Sequence, residues 1–327
     1  MRSLVTGGAG FIGSHLVDYL LDLGHEVTVI DDLSTGSREN LNQCFDREGF
    51  CFYEMDVRDF ERIRQKFDDV DWVFHLAALA DIVPSIQKPL EYIRAGVDAT
   101  VSVLEASRLA GISRFVYAAS SSCYGVPESF PTTEDAAIKP QYPYALAKNL
   151  GEQSVMHWAM IYKLPAISLR LFNVYGPRAR TSGAYGAVFG VFLAQKLAGK
   201  PFTVVGDGAQ TRDFTYVSDV VEAFYLAAAS SHSREIMNVG SSQTQSINRL
   251  VGLLKGEVTY VPKRPGEPDC TFADISKIEK LLGWKAEVDF EKGVELMLGN
   301  IDYWSDAPVW DSSSIEKATK EWFEHLS

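Results

Sequence analysis

Glycines at positions 7, 10 and 13 stand between a short apolar run, residues 3–6, and a helical pattern, residues 12–22. In Gly7-Gly8-Ala9-Gly10-Phe11-Ile12-Gly13 the first glycine permits a tight turn. The second lets the backbone approach a pyrophosphate, and the third lets the helix sit close to the sheet. The helix N-terminus then offers free N–H groups and partial positive charge to phosphates. The next strand, residues 26–31, ends on Asp31, 18 residues after Gly13. A carboxylate there can bond both hydroxyls of an adenosine ribose. Asp32 follows with no arginine beside the pair, and two carboxylates repel a 2′-phosphate. The expected cofactor is therefore NAD rather than NADP. Met55-Asp56-Val57 reads as the close of the third strand. Asp56 there either bonds the adenine amino group or caps the next helix.

The first half of the chain keeps this rhythm. Residues 58–67 read as a helix, 72–77 as a strand, 97–110 as a helix closed by Gly111, and 114–120 as a strand. Residues 144–162 form a further helix opened by Pro143, and 166–172 the next strand. Mostly apolar strands separated by helices indicate a parallel sheet buried on both faces. After Asn173 the chain becomes denser in Gly, Pro, Arg and Asp. The expectation is an α/β fold: a Rossmann doubly wound parallel sheet over residues 1–172, then a smaller C-terminal substrate-binding lobe over 173–327. Part of that second stretch is expected to return to the first domain. Asp311-Ser312-Ser313-Ser314 reads as the N-cap of a last helix, residues 315–326.

Composition excludes several classes. Lys+Arg 31 against Asp+Glu 43 leaves a net charge of −12, which disfavours nucleic-acid backbones and anionic membranes. No apolar run reaches the roughly 18–20 residues of a membrane span. Cys44, Cys51, Cys123 and Cys270 are scattered, with no Cys-x-x-Cys and no Cys/His cluster at zinc spacing. They read as reduced thiols in a cytoplasmic protein without a metal site. A chain that reaches its glycine turn at Gly7 is not expected to carry a signal peptide.

Tyr144-Ala145-Leu146-Ala147-Lys148 puts a phenol and an ammonium at i and i+4, on one helix face. A free tyrosine has a pKa of about 10. A nearby ammonium and a cationic nicotinamide favour the phenolate and lower that value. Tyr144 is then the expected proton carrier while a hydride moves to or from the cofactor, with Lys148 as its partner. Ser120 ends the preceding strand, where α/β sheets place ligand-binding groups.

Gly7-x-x-Gly10-x-x-Gly13, Asp31, the serine-rich strand end and Tyr144-x-x-x-Lys148 together resemble the extended short-chain dehydrogenase/reductases. Further matches follow in order over nearly the whole chain, to about residue 300. His75-Leu76-Ala77-Ala78 looks like the family's cofactor-facing fourth strand. The segment from Leu169 to Gly176 looks like the strand leading to its sugar-nucleotide site. Arg212-Asp213-Phe214 and Arg264-Pro265-Gly266-Glu267 look like its diphosphate clamps. Ala273-Asp274 and Leu281-Leu282-Gly283-Trp284 fit its closing segment. The resemblance is greatest to UDP-sugar 4-epimerases of the UDP-N-acetylglucosamine type. It implies that Asn173 contacts the sugar nucleotide and that Arg212 and Arg264 bind its pyrophosphate, which suits bidentate guanidinium–phosphate contacts. It also implies that Thr271 lies where relatives restricted to plain hexoses carry a bulky tyrosine.

Related 4,6-dehydratases carry Asp-Glu just after the strand-end Ser/Thr, and decarboxylases keep the Glu. Here those places are Ser121 and Ser122, whose hydroxyls cannot run an elimination near neutral pH. The resemblance then implies reversible oxidation at C4 of a UDP-hexose or UDP-N-acetylhexosamine, with NAD retained. Dehydratase or decarboxylase chemistry, a 4-keto-sugar reductase and a non-catalytic NAD-binding protein are the alternatives. Lysine near Ala80 and asparagine near Gly96, common in relatives, are absent. Cys123 reads as a small buried hydrophobe rather than a nucleophile. The stretch after Asn300, with Trp304, Trp310 and Trp322, is expected to pack or to cover the sugar. In relatives, helices like 97–110 and 144–162 form a four-helix contact, which implies a homodimer.

Overall fold

The computed structural model describes residues 1–179 and 187–326. Seven strands, all paired in parallel, build the central sheet. They are β1 (Arg2–Thr6), β2 (Glu26–Asp31), β3 (Phe50–Glu54), β4 (Trp72–His75), β5 (Arg114–Ser120), β6 (Ala166–Leu171) and β7 (Glu235–Val239). Their order is β7-β6-β5-β4-β1-β2-β3. Successive side chains leave a strand on opposite faces. Leu4, Val73 and Phe115 therefore enter one core, and Val5, Phe74 and Val116 the other. Burial on both faces explains why these strands read as unbroken apolar runs.

Helices cover both faces. α1 (Phe11–Asp22) lies on the side of Val5. α2 (Ala99–Ala110) and α3 (Pro143–Ile161) lie on the side of Leu4, through Val103, Leu104, Val155 and Ala159. α4 (Val217–Ala229) packs against α1. α4 and β7 follow residue 173 in the chain but belong to the sheet layer. Outside it, three small strand pairs build the second lobe. Asn173–Tyr175 pairs with Phe214–Tyr216, Phe202–Val205 with Val258–Val261, and Thr211–Arg212 with Gln245–Ser246. α5 (Ser312–Leu326) ends the described chain, with Asp311 Oδ1 accepting from the Ser314 N–H at 2.7 Å.

Several boundaries differ from the sequence reading. β4 stops at His75, the register partner of Thr6, level with the point where β1 ends and the glycine turn begins. β3 stops at Glu54, opposite Asp31, so Met55, Asp56 and Val57 lie beyond it. The helix expected over 58–67 is a short α-turn, Phe60–Ile63, continued by the 3-10 turn Arg64–Phe67. Its cap is Asp59 rather than Asp56. α2 is preceded without a break by Pro89–Ile93 and the π-turn Arg94–Asp98. Gly96 lies in that turn. A Cβ there would come within 2.8 Å of the Ala147 Cβ, so the crossing with α3 requires its small size.

A buried polar network ties α3 to the sheet. Arg170 and Glu152 pair at 2.6 Å, and Ser168 donates to the same carboxylate. Arg170 also donates to the Tyr124 hydroxyl, which donates to Asn238 on β7.

Candidate active site

The strand order reverses between β1 and β4, and ligands of such sheets bind at the carboxyl ends beside that point. A cavity of about 980 Å³ opens there between the sheet layer and the second lobe, and every residue singled out above as a site residue lies on its wall.

The glycine turn forms its floor. Gly7 has φ +72°, and a Cβ would sit 2.6 Å from the Ala77 nitrogen. A Cβ on Gly13 would lie 2.1 Å from the Gly7 carbonyl oxygen. The third glycine thus brings the helix against the turn itself. Gly10 is the N-cap of α1 and no side chain caps it. The first N–H groups of the helix, from Phe11, Ile12 and Gly13, are thereby left for an anion. Asp31 holds the turn in place: Oδ2 accepts from Ala9 N–H and Oδ1 from Leu33 N–H, both at 2.9 Å. Burial raises its pKa, and those two bonds work against the shift. Asp32 accepts from the backbone and side chain of Ser34. The loop after β4 brings Leu76, Ala77 and Ala78 alongside. A turn that any Cβ would block, an uncapped helix end and a carboxylate at the second strand's end fit a dinucleotide.

Asp56 is engaged by Arg58, whose Nε reaches both carboxylate oxygens at 2.8–2.9 Å and holds the carboxyl below its usual range. Sequence reasoning missed Arg58. It lines the cavity and feels the charge of Asp32, but Asp56 takes its hydrogen bonds.

Ser120 ends β5. It accepts from the Ser122 N–H at 3.2 Å and the Ser122 hydroxyl at 2.9 Å. Tyr144 lies beside Ser120 on the same wall. Burial pushes the phenol's pKa up, the Ser120 hydroxyl lowers it, and the Asp81 carboxylate raises it further. The expected lowering by Lys148 is not what the structure holds. The Lys148 ammonium donates to the Ala118 carbonyl at 2.7 Å, and burial depresses it to about 8. Helical spacing put the two groups on one face, but the β5 carbonyl captured the lysine. Behind it, His75 sits between the Thr6 and Thr100 hydroxyls and is lowered to about 3, first by burial and then by the Lys148 charge.

At the other end Asn173, Arg212, Arg264 and Thr271 come together. Arg212 donates to Glu267 at 2.8 Å, and Arg264 stands 3.6 Å from the other oxygen of that carboxylate. Thr271 donates to Asn173 Oδ1 at 2.7 Å and accepts from the Asp213 N–H. Asp213, fully buried, joins this strand to the closing segment through Ser241 and Ala273. Sequence reasoning did not single out Glu267, Tyr142, Trp310 or Trp322 as site residues, though all line the cavity. Glu267 stood in a quoted motif. Trp310 and Trp322 fall in the stretch expected to pack or to cover the sugar, and no spacing marks Tyr142. Cys123 is packed with Tyr124, Phe172 and Ala273, and burial pushes its thiol up to about 12.

The model of the NAD dependent epimerase/dehydratase family matches residues 3–240. A putative UDP-glucose 4-epimerase of Methanocaldococcus jannaschii is 36% identical over 89% of this chain and 95% of its own length. The crystal structure of UDP-glucose 4-epimerase from Thermotoga maritima with UDP-glucose superposes with a TM-score of 0.86. Its identity is 34%, and the match covers 94% of this chain and 99% of that one. UDP-N-acetylglucosamine 4-epimerase from Methanobrevibacter ruminantium M1, in complex with UDP-N-acetylmuramic acid, superposes at 0.85. Here the identity is 35%, with 91% and 98% covered.

Proposed function

The chain belongs to the NAD-dependent epimerase/dehydratase family, and from that premise we propose that it inverts C4 of a UDP-hexose or a UDP-N-acetylhexosamine. The observation that carries the reading is one cavity wall. Tyr144 and Ser120 stand together there, and Ser121 and Ser122 bring hydroxyls where an elimination needs carboxyl groups. The glycine turn and Asp31 would hold NAD, which would supply the hydride acceptor and donor for oxidation at C4 and reduction from the opposite face of the turned 4-keto sugar.

The rest is the work of the chain's own side chains. Tyr144 takes and returns the proton of the C4 hydroxyl, and Ser120 orients the phenol oxygen. Lys148 brings positive charge to the same wall. Arg212 and Arg264 bind the diphosphate, and Glu267 keeps both guanidiniums turned toward it. Asn173 contacts the sugar nucleotide, with its amide fixed by Thr271. The small Thr271 leaves room for a 2-acetamido group, which favours the acetylated substrate. Two subunits associate through α2 and α3, which expose Leu109, Leu146, Met160 and Ile161.

The test is a panel of UDP-, dTDP-, GDP- and CDP-sugars incubated with the purified protein, with C4 configuration read by NMR. Equilibration of a UDP-sugar C4 pair without added NADPH is expected. Loss of water or carbon dioxide, or turnover only with stoichiometric NADPH, overturns the reading.

A further inference from the structure

We propose that Trp322, in the C-terminal helix α5, is a positioning residue for the diphosphate: it holds Arg264 at the substrate end of the cavity. The inference rests on reading the cavity as a UDP-sugar site.

α5 bridges the two sides of the cavity. It packs on helix Ile82–Gln87 of the sheet layer and on strand Val258–Val261 of the second lobe. Trp322 is buried, and its indole N–H donates to the Pro265 carbonyl at 2.7 Å, pinning the residue next to Arg264. The Arg264 guanidinium carbon lies 5.5 Å from the centre of the indole ring. The same ring meets Tyr142 at 6.1 Å, and Tyr142 stacks on Tyr144 at 6.5 Å with the planes 7° apart. Arg264, Trp322, Tyr142 and Tyr144 thus form a continuous row from the diphosphate arginine to the proton carrier.

The chemistry explains why a ring suits this place. The Arg264 guanidinium stands 3.6 Å from the Glu267 carboxylate, and the indole face gives it a second, differently directed contact. An aromatic face attracts the cation through its quadrupole without occupying an N–H donor. A ring therefore does not compete with phosphate oxygens for those donors, as a second carboxylate would. The remainder of the C-terminal stretch supports the same site. Ala307, Pro308 and Trp310 line the cavity. The Tyr303 hydroxyl donates to Asn40, which in turn donates to the Ala9 carbonyl of the glycine turn.

The experiment is a thermodynamic cycle on the full chain, with UDP as the probe in calorimetry and the accepted UDP-sugar in kinetics. Trp322→Leu and Trp322→Met both fill the volume without a π face, and thermal melting selects whichever folds. The expected loss of UDP affinity is roughly ten-fold, within the range of a desolvated cation–π contact. KM should rise in proportion and kcat stay within about two-fold, as for lost ground-state binding. Trp322→Phe keeps a face and should recover most of the affinity. In an Arg264→Ala background the Trp322 substitution should add under about two-fold, because its partner is gone. An undiminished ten-fold loss in that background, or no loss in the single variants, overturns the role of Trp322 alone. Failure of the unaltered protein to bind UDP overturns the UDP-sugar reading and this inference with it.

Discussion

The Thr271 hydroxyl donates to the Asn173 amide oxygen at 2.7 Å, across 98 residues of sequence. It thereby fixes which way Asn173 presents its amide to the cavity. Thr271→Tyr replaces that donor with a ring that fills the space beside it. An N-acetylhexosamine substrate should then lose far more kcat/KM than a plain hexose. Equal losses on the two, measured side by side, would place the acetamido group elsewhere.

Tyr144→Phe removes the proton carrier and keeps the ring that stacks on Tyr142. Turnover should fall roughly 10²–10⁴-fold, the worth of one general acid–base group, while UDP binding persists. Lys148→Ala should cost as much. Single-turnover kinetics beside calorimetry separates chemistry from binding, and a Tyr144→Phe enzyme that keeps its rate removes Tyr144 from the mechanism.

His75 makes stability fall in acid. Its ring is fully buried between two threonine hydroxyls, and its pKa is lowered to about 3. The unfolded chain binds a proton there near pH 6.5, and the folded chain does not until about pH 3. Between those values the unfolded state holds more protons, so stability declines as pH drops from 6.5. Urea midpoints at pH 7 and 4.5 should show roughly 2–3 kcal/mol more acid loss in the native protein than in His75→Gln. Parallel pH profiles for the two proteins are the contrary result.

Glu152→Gln leaves the Arg170 guanidinium buried without its counter-charge. Removing one partner of such a pair costs about 3–5 kcal/mol. The unfolding midpoint in urea should drop accordingly. The α3 helix, held to β6 by this pair, carries both Tyr144 and Lys148, so activity should become heat-sensitive below the native range. A variant as stable as the native chain would mean the pair is not what anchors α3.

Light scattering at micromolar concentration should give a mass near twice 36.2 kDa. Charged substitutions at Leu146 and Met160, exposed on α3, should shift it to the monomer. A monomeric native protein removes the proposed contact between subunits.

Much of this protein was legible because the informative residues act within a few positions of one another. The glycine turn needs only Gly7, Gly10 and Gly13 in one strand–turn–helix, where two of them are confined by contacts under 3 Å. Alternating apolar strands and helices dictate a parallel sheet whatever their side chains touch. Tyr144 and Lys148 share a face because a helix repeats every 3.6 residues. Strand ends were misread where pairing decides them: β4 stops level with the end of β1, which no property of Leu76 or Ala77 reveals.

What only the tertiary structure decided is where long side chains went once the face was set. Lys148 found the carbonyl of Ala118, 30 residues earlier, in place of the phenol one turn away. Glu267 came between two arginines 52 residues apart in the chain. Trp322 met Tyr142 and Arg264 from a helix whose sequence announces a cap and a tryptophan to be packed, but not its partners. Local spacing fixes directions over a turn or two of chain. A flexible charged or aromatic group then takes the strongest partner that folding brings within reach, and that partner is set by packing across the whole molecule.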